Sequence, residues 1–219
     1  MIGVFDSGIG GLCSFERLNK IIKDEELVYL ADRGNAPYGT RTRAEIISLA
    51  KRNIARLRTL GARKILIACC TASGIYGELD EDERAIAVPI ITPAAEAALN
   101  KAGKGGKIAV ISTSFTAKNH IFKNEILKKD ETATVTEYGE QLLVELVELG
   151  ASDSALLPRE AEYLDKLCGK ITLSGAAALI LGCTHFSHLA EEIKKRLGSI
   201  AVIDTAALGA DALYKSLSG

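Results

Sequence analysis

Short stretches that are apolar at nearly every position alternate along the chain with segments that have helical spacing. The apolar stretches cover residues 2–5, 27–30, 65–69, 108–111, 178–181 and 201–203. Strands that lack polar alternation are buried on both faces, which is typical of parallel strands covered by helices. The pattern therefore predicts an α/β fold whose sheets are mainly parallel.

Two of the intervening segments carry clear helix signals. Thr42 and Glu45 have the spacing of a capping box, and apolar residues then follow at helical spacing as far as Gly61, a typical residue just past a helix C-terminus. Residues 188–198 predict a second helix, which ends at Gly198. Helices at these places fit an alternating strand–helix chain.

The composition changes near the middle of the chain, where a proline-containing segment that ends at Pro93 precedes a lysine- and glycine-rich segment. We therefore predict two lobes. Residues 1–93 together with 204–219 are expected to form the N-terminal α/β lobe, and residues 94–203 the second α/β lobe. Each lobe then contains one apolar run that ends in a cysteine and a threonine-containing turn, so we expect two similar units that face each other across an active-site cleft.

Charge and hydropathy exclude several classes of partner. The chain has 27 Lys and Arg residues against 28 Asp and Glu residues, a net charge of -1, so no strong field favours nucleic acid or an anionic membrane. No apolar run is long enough to span a membrane, and the N-terminus lacks the regions of a signal peptide. We expect a cytoplasmic protein with no nucleic-acid partner and no membrane partner.

The cysteine content does not indicate a disulfide framework or a metal site. Five cysteines in 219 residues are an odd and sparse set, so reduced thiols are expected. No CxxC motif is present, and the histidines lack metal-ligand spacing, so no metal is predicted. We expect Cys13 and Cys168 to be small buried apolar residues.

Four polar clusters follow predicted strands, at the edge where parallel sheets bind ligands. They are FDSGIGG with Asp6 and Ser7, ADRGNAPYG with Asp32 and Tyr38, CCTAS with Cys69 and Cys70, and CTH with Cys183 and His185. The glycine-rich segment matches neither a dinucleotide fingerprint nor a P-loop, so neither NAD nor ATP is predicted.

Two thiols on opposite walls of a cleft can invert a carbon centre without a cofactor. One thiolate removes a proton from one face of the carbon, and the other thiol delivers a proton to the opposite face. A free cysteine has a pKa of about 8.5, so each thiol needs a neighbouring group that moves its proton. We expect Asp6 to assist Cys69, and His185 to assist Cys183.

The motifs FDSGIGGL, APYGTRT, ACCTAS and LGCTHF, in this order, resemble those of the cofactor-independent glutamate racemases of the aspartate/glutamate racemase superfamily. The TSFT turn and the late VIDTA segment extend the resemblance over nearly the whole chain. The CTH motif is more similar to glutamate racemases than to aspartate racemases. The resemblance implies glutamate as the small-molecule substrate, no cofactor, D-glutamate supply for peptidoglycan, and a homodimer.

The resemblance also implies roles for individual residues. Cys69 and Cys183 match the catalytic cysteines, Asp6 and His185 match the assisting residues, and Glu148 matches a family glutamate. The positions that match substrate contacts are Ser7, Pro37, Tyr38, Gly39, Cys70, Thr71, Thr113, Thr116 and Thr184.

Two departures from the family pattern leave alternatives open. Cys70 stands where the family usually has asparagine, and a thiol in place of the amide costs about 1.5–3 kcal/mol for a lost hydrogen bond to a charged group. The segment YGEQLLVELVELG replaces a proline-containing stretch that shapes the pocket. The alternatives are a related racemase acting on aspartate, a hydantoin or a malonate derivative, and a non-catalytic paralogue that binds an amino acid or a protein. Glu148 is alternatively a solvated charge on a helix face.

Overall fold

The eight strands described here form two separate sheets of four. The computed structural model describes residues 1–148 and 156–217. Within them the strands are β1 (Ile2–Asp6), β2 (Leu27–Ala31), β3 (Lys64–Ile67), β4 (Ala87–Pro89), β5 (Lys107–Ser112), β6 (Thr134–Gly139), β7 (Ala178–Gly182) and β8 (Ala201–Asp204). The orders are β2-β1-β3-β4 in the first sheet and β6-β5-β7-β8 in the second.

Every neighbouring pair of strands in both sheets is parallel, which confirms the predicted α/β fold with two lobes. We call the part built on β1–β4 the first lobe and the part built on β5–β8 the second lobe. In each lobe one of the two inner strands leads to a turn that contains a cysteine. This strand is β3 in the first lobe and β7 in the second. The two lobes therefore repeat one plan of strand, cysteine and short helix.

Helices connect the strands and cover both sheets. Within the described residues they are α1 (Leu12–Ile21), α2 (Arg43–Thr59), α3 (Cys70–Ser73), α4 (Glu81–Ile86), α5 (Ile91–Ala102), α6 (Ser114–Lys118), α7 (Ile121–Leu127), α8 (Gln141–Glu148), α9 (Pro158–Leu173), α10 (Ala190–Leu197) and α11 (Thr205–Lys215). Short 3₁₀ turns include Tyr38–Thr40 and Thr184–Leu189. No helix in the described part of the chain is long and apolar enough to cross a membrane.

The helix signals in the sequence are confirmed with small shifts at the ends. Thr42 and Glu45 form the predicted capping box of α2, and Gly61 follows the helix with a φ of 93°. The helix predicted from residue 188 begins at Ala190, because the preceding residues form a 3₁₀ turn, and it ends before Gly198, whose φ is 60°.

The core shows why the strands carry no polar alternation. On β5, Ile108 and Val110 pack in the cluster that includes the first sheet, whereas Ala109 and Ile111 pack in a second cluster. Neighbouring residues thus point into different cores, and both faces of the strand are buried.

The apolar pattern does not predict β4 or β6. β4 is only three residues long and ends at Pro89, which is tolerated because the strand lies at the edge of its sheet. β6 also lies at an edge and carries Thr134 and Glu137, so its residues are half-buried or exposed. Edge strands need less apolar surface than central strands, and their sequence signal is correspondingly weaker.

The predicted lobe boundaries at residues 93 and 204 fall inside α5 and at the end of β8. β4 ends at Pro89 and β5 begins at Lys107, and α11 contacts α1 and β3 of the first lobe as well as α5. The division into 1–93 with 204–219 and 94–203 stays a prediction, since α5 and α11 contact elements on both sides of it.

Candidate active site

Two cysteines stand at equivalent places in the two lobes. β3 ends at Ile67, earlier than predicted, and Cys69 begins α3, because its carbonyl oxygen accepts the first helical hydrogen bond from the Ser73 amide. Cys183 follows β7 directly and begins the 3₁₀ turn Thr184–Leu189. Each cysteine is 6% exposed, so both thiols are nearly excluded from solvent. An apolar buried strand ends in each case at a turn whose polar groups face the other lobe.

A cavity of about 290 Å³ lies between the lobes and brings both cysteines together. Its lining comprises Ser7, Ala36, Pro37, Tyr38, Gly39, Cys69, Cys70, Thr71, Thr113, Gln141, Val144, Glu145, Glu148, Cys183, Thr184 and His185. Most residues predicted for the site are among them. Asp6 and Thr116 are fully buried behind the lining.

Cys183 has a histidine as its neighbour. His185 Nδ1 lies 3.5 Å from Cys183 Sγ, and His185 Nε2 lies 2.5 Å from Glu148 Oε1. Burial disfavours the imidazolium, but the interaction with Cys183, the negative charge of Asp6 and the hydrogen bond to Glu148 outweigh burial and raise the pKa of His185 to about 10. A positively charged ring, oriented by a carboxylate, therefore faces the sulfur of Cys183 at neutral pH.

Cys69 has neutral and acidic neighbours instead. Its thiol donates a long hydrogen bond to Ser7 Oγ at 3.7 Å. Burial, and then the negative charge of Asp6, raise the pKa of Cys69 to about 12, although a hydrogen bond from the Ala72 amide favours the thiolate. The environment of this thiol thus favours its protonated form.

Asp6 joins the lobes rather than bonding to Cys69. Its Oδ1 accepts a hydrogen bond from the Gly8 amide at 2.8 Å, and its Oδ2 accepts one from Thr184 Oγ1 at 3.1 Å. Thr184 belongs to the second lobe and follows Cys183, so one carboxylate touches the turns of both lobes. The predicted assistance of Asp6 to Cys69 stays a prediction.

Threonine hydroxyls form a second bridge between the lobes. Thr71 Oγ1 of the first lobe lies 3.0 Å from Thr113 Oγ1 of the second, and Thr113 donates to Thr116 Oγ1 at 3.0 Å. Thr113 also caps α6 by accepting a hydrogen bond from the Thr116 amide. Thr71 and Thr113 line the cavity, whereas Thr116 holds them from behind.

The loop at residues 36–39 closes one side of the cavity. Tyr38 is buried and its hydroxyl donates to Asp32 at 2.6 Å, so Asp32 from the same predicted polar cluster supports the loop from outside the lining. A Cβ on Gly39 would lie 2.7 Å from Thr113 Cβ and 2.8 Å from Gln141 Oε1. Glycine is required there because no side chain fits between the loop and the second lobe.

The face of α8 supplies lining residues that the sequence-based list does not contain. Gln141, Val144, Glu145 and Glu148 follow the i, i+3, i+4, i+7 spacing of one helix face, and all four line the cavity. Only Glu148 is predicted as a site residue. Helical spacing counted back from Glu148 predicts that the other three residues lie on the same face, so it was a signal that could have added them to the predicted site.

The remaining cysteines are placed differently. Cys70 is buried and lines the cavity, and burial raises its pKa well above the usual value. Cys168 is buried in the core of the second lobe, as expected. Cys13 is half-buried, and its Sγ lies 3.7 Å from His188 Nε2, so the expectation of a fully buried residue is wrong for Cys13.

Comparisons with known proteins agree with this architecture. A glutamate racemase from Persephonella marina is 36% identical over 215 residues, which cover 97% of this chain and 80% of that protein. The crystal structure of a glutamate racemase isoform from Bacillus anthracis matches with a TM-score of 0.89 at 28% identity, covering 100% of this chain and 81% of that one.

A second solved structure shows a ligand in a relative of the same fold. The glutamate racemase of Francisella tularensis, in complex with D-glutamate, matches with a TM-score of 0.85 at 29% identity, covering 99% of this chain and 80% of that one. The sequence profile of the Asp/Glu/Hydantoin racemase family matches residues 13–213, nearly the whole chain. These matches confirm the resemblance found in the motifs, and the chain belongs to the Asp/Glu/Hydantoin racemase family.

Proposed function

We propose that this protein is a glutamate racemase that interconverts L- and D-glutamate by proton transfer between two cysteines. The observation that carries the proposal is the placement of Cys69 and Cys183, one from each lobe and both nearly excluded from solvent, in the lining of a single cavity. The names of the relatives support glutamate as the substrate.

In the proposed reaction, one cysteine acts as a thiolate base and the other as a thiol acid. The thiolate takes the α-proton of glutamate, and the electron pair of the C–H bond passes into a carbanion conjugated with the α-carboxylate. The opposite thiol then gives its proton to the other face of the α-carbon. The product is the mirror-image amino acid, and the two sulfurs have exchanged their protonation states.

The neighbours of each sulfur suit these steps. We assign His185 as the group that holds a proton beside Cys183, since its ring faces the sulfur and carries a raised pKa. Glu148 orients the ring through Nε2, so it is a positioning residue, although its side chain is 37% exposed. On the other side Ser7 contacts Cys69, and Asp6 fixes the adjoining turns.

The lining also determines how an anionic substrate is held. His185 is the cationic side chain in the described lining, whereas Glu145 and Glu148 add carboxylates. The two carboxylates of glutamate are therefore expected to bind mainly to neutral donors, chiefly amide and backbone N–H groups. Among the predicted contacts, Ser7, Thr71, Thr113 and Thr184 line the cavity and are assigned to substrate binding together with residues 37–39 and Cys70.

A second candidate is a racemase of the same family acting on aspartate or another small acid. Cys70 in place of an amide, and Glu145 in the lining, favour it because both change the groups that meet the substrate. Homodimer formation, a cytoplasmic location and supply of D-glutamate to peptidoglycan are further proposals, supported by the family resemblance.

Circular dichroism of separate solutions of L-glutamate, D-glutamate and L-aspartate, incubated with the reduced protein, tests the substrate. We expect the signal of both glutamate enantiomers to decay to zero while the aspartate signal persists. Decay with aspartate alone would replace glutamate by aspartate, and decay with neither would contradict racemisation of these amino acids. Sedimentation of the same sample checks the dimer.

A further inference from the structure

The side-chain amide of Gln141 is buried without a hydrogen-bond partner. Among residues 1–148 and 156–217, neither Gln141 Nε2 nor Gln141 Oε1 has one, although both atoms are inaccessible to solvent. Buried amide groups are nearly always paired, because an unpaired donor or acceptor loses its hydration without compensation. The two unpaired ends gain hydrogen bonds if the side chain turns from this closed position into the adjoining cavity and meets a ligand there.

Gln141 lines the cavity, and its amide is packed into the cavity wall. It is the first residue of α8. Glu148, the last residue of that helix, lines the cavity from the same face. Its Oε1 lies 2.8 Å from the position of a Cβ on Gly39, at the contact between the loop and Thr113. The amide therefore belongs to the wall formed by the loop and the threonine bridge.

Most other side-chain donors in the lining already have protein acceptors. Thr184 donates to Asp6, and Tyr38 donates to Asp32. Thr71 and Thr113 bond to each other, and Thr113 bonds to Thr116. In contrast, neither end of the Gln141 amide has a protein partner within the described part of the chain.

We propose that the Gln141 side chain turns into the cavity when the substrate binds and acts as a substrate-binding and specificity-determining residue, whose Nε2 donates to a carboxylate of the amino acid and whose Oε1 accepts from its ammonium group. A carboxamide offers one donor end and one acceptor end, which complement the paired charges of an α-amino acid. The identity of the amino acid as glutamate rests on the function proposed above.

Cys70 lines the same cavity but offers only a thiol for hydrogen bonding. A thiol is a weak donor and a weak acceptor, so Cys70 cannot hold the charged groups of an amino acid as an amide does. Gln141 supplies an amide to the same cavity from the opposite lobe. In this cavity the amide that can hold the amino acid therefore lies on α8 and not beside Cys69.

The test is a Gln141→Leu substitution, which keeps the size of the side chain and removes both polar ends. We expect the KM for L-glutamate to rise about 10- to 100-fold, the range for a lost hydrogen bond to a charged group, with a smaller change in kcat. Leu142→Ala is the matched control, since Leu142 is 45% exposed on the same helix and lies outside the lining. An unchanged KM in Gln141→Leu would overturn the proposal.

Rescue separates binding from a structural role. Cys70→Asn places an amide on the first lobe, so the Cys70→Asn and Gln141→Leu double variant should recover most of the lost affinity. A variant that is merely misfolded or loosened would not be rescued by a change across the cavity. If the double variant has the Tm of the wild-type protein and still binds glutamate as weakly as Gln141→Leu, then an amide at position 70 cannot replace the one at position 141, and the proposed role of Gln141 is contradicted.

Calorimetric titration, which measures binding independently of racemisation, distinguishes a failure of the Gln141 proposal from a failure of the proposed function. The probes are L-glutamate, L-aspartate and glutarate, each titrated into wild-type and Gln141→Leu protein. If wild-type protein binds a probe without racemising it, racemisation fails, while weaker binding in Gln141→Leu still supports the role of Gln141. If wild-type protein racemises glutamate and Gln141→Leu binds every probe equally well, only the role of Gln141 fails. Wild-type protein that binds none of the three would overturn both.

Discussion

The two cysteine sites have the same origin in the fold but opposite surroundings. Cys69 and Cys183 both follow a central buried strand and begin a short helical turn. Cys183 faces an imidazole that is held by a carboxylate, whereas Cys69 faces a hydroxyl and lies near the buried carboxylate of Asp6. One sulfur has a cationic neighbour and the other an anionic one.

This difference places a protonated thiol in the first lobe and a protonated imidazole in the second. The pKa of Cys69 is raised to about 12, so this thiol carries its proton at neutral pH. The pKa of His185 is raised to about 10, so the positive charge beside Cys183 persists through the neutral range. A repeated sequence motif thus specifies the position of a thiol, and contacts from distant segments specify the charge of the group beside it.

The largest expected effect is the loss of either cysteine. Cys69→Ala and Cys183→Ala should each lower the rate of racemisation at least about 10³-fold, because each removes the only group that serves one face of the α-carbon in this mechanism. Circular dichroism of glutamate measures the rate. Cys168→Ala, a buried thiol outside the cavity, is the control and should retain activity. Substantial racemisation by either site variant would remove that cysteine from the mechanism.

Replacement of His185 should weaken the second-lobe site alone. We expect His185→Asn to lower kcat about 10²-fold, the lower range for a proton-transferring side chain, with little change in KM. Glu148→Gln should cause a smaller loss, because the ring stays in place with a weaker orienting partner. Equal losses in kcat from both variants would show that Glu148 does more than orient the ring.

The same histidine links stability to pH with a definite sign. Its pKa is raised in the folded protein from 6.5 to about 10, so the stabilisation is complete below pH 6.5 and is lost as the pH rises towards 10. Urea unfolding of wild-type and His185→Asn protein at pH 6, 8 and 10 should show a difference in midpoint that shrinks with increasing pH. A difference that grows with pH would contradict the assigned imidazolium.

Replacement of Asp6 tests the first-lobe site by a smaller shift. Asp6→Asn removes the negative charge near Cys69 while an amide oxygen can still accept from Thr184, so the pKa of Cys69 should fall below its value of about 12. Alkylation of the Cys69 peptide as a function of pH, read by mass spectrometry, measures it. An unchanged alkylation profile would mean that burial alone sets the pKa.

Ser7→Ala is expected to have the smallest effect of the series. The contact from Cys69 Sγ to Ser7 Oγ is 3.7 Å, a weak hydrogen bond, so its loss should change kcat only a few-fold. Steady-state kinetics with L-glutamate measures the change. A loss as large as that of His185→Asn would show that Ser7, rather than burial and Asp6, controls the proton on Cys69.

The sequence predicted the parts of the site that depend on burial and chain direction. Apolar strands identify the sheets, and the residues that follow them, such as Cys69 and Cys183, must lie at one edge because the strands are parallel. The sequence did not predict that Asp6 accepts from Thr184, a residue 178 positions away. Apolar spacing reports which residues are buried, but it carries no information on which polar groups from distant segments will pair.

The sequence pattern of α8 likewise does not show that one face of this helix lines the cavity. Gln141 and Glu145 occur in an amphipathic helix, and their spacing is equally typical of a solvated surface. Only the packing of that helix against the turn at His185 directs the face into the cavity. The substrate-facing character of these residues comes from the meeting of the lobes.

The central claim is that the two cysteines serve opposite faces of one carbon. Cys69→Ala and Cys183→Ala proteins, incubated in D₂O with L-glutamate or D-glutamate separately and followed by NMR of the α-proton, test it most directly. We predict that each variant exchanges the α-proton of one enantiomer only, and that the two variants select opposite enantiomers. Exchange of the same enantiomer by both variants, or of both enantiomers by either one, would contradict the two-thiol account.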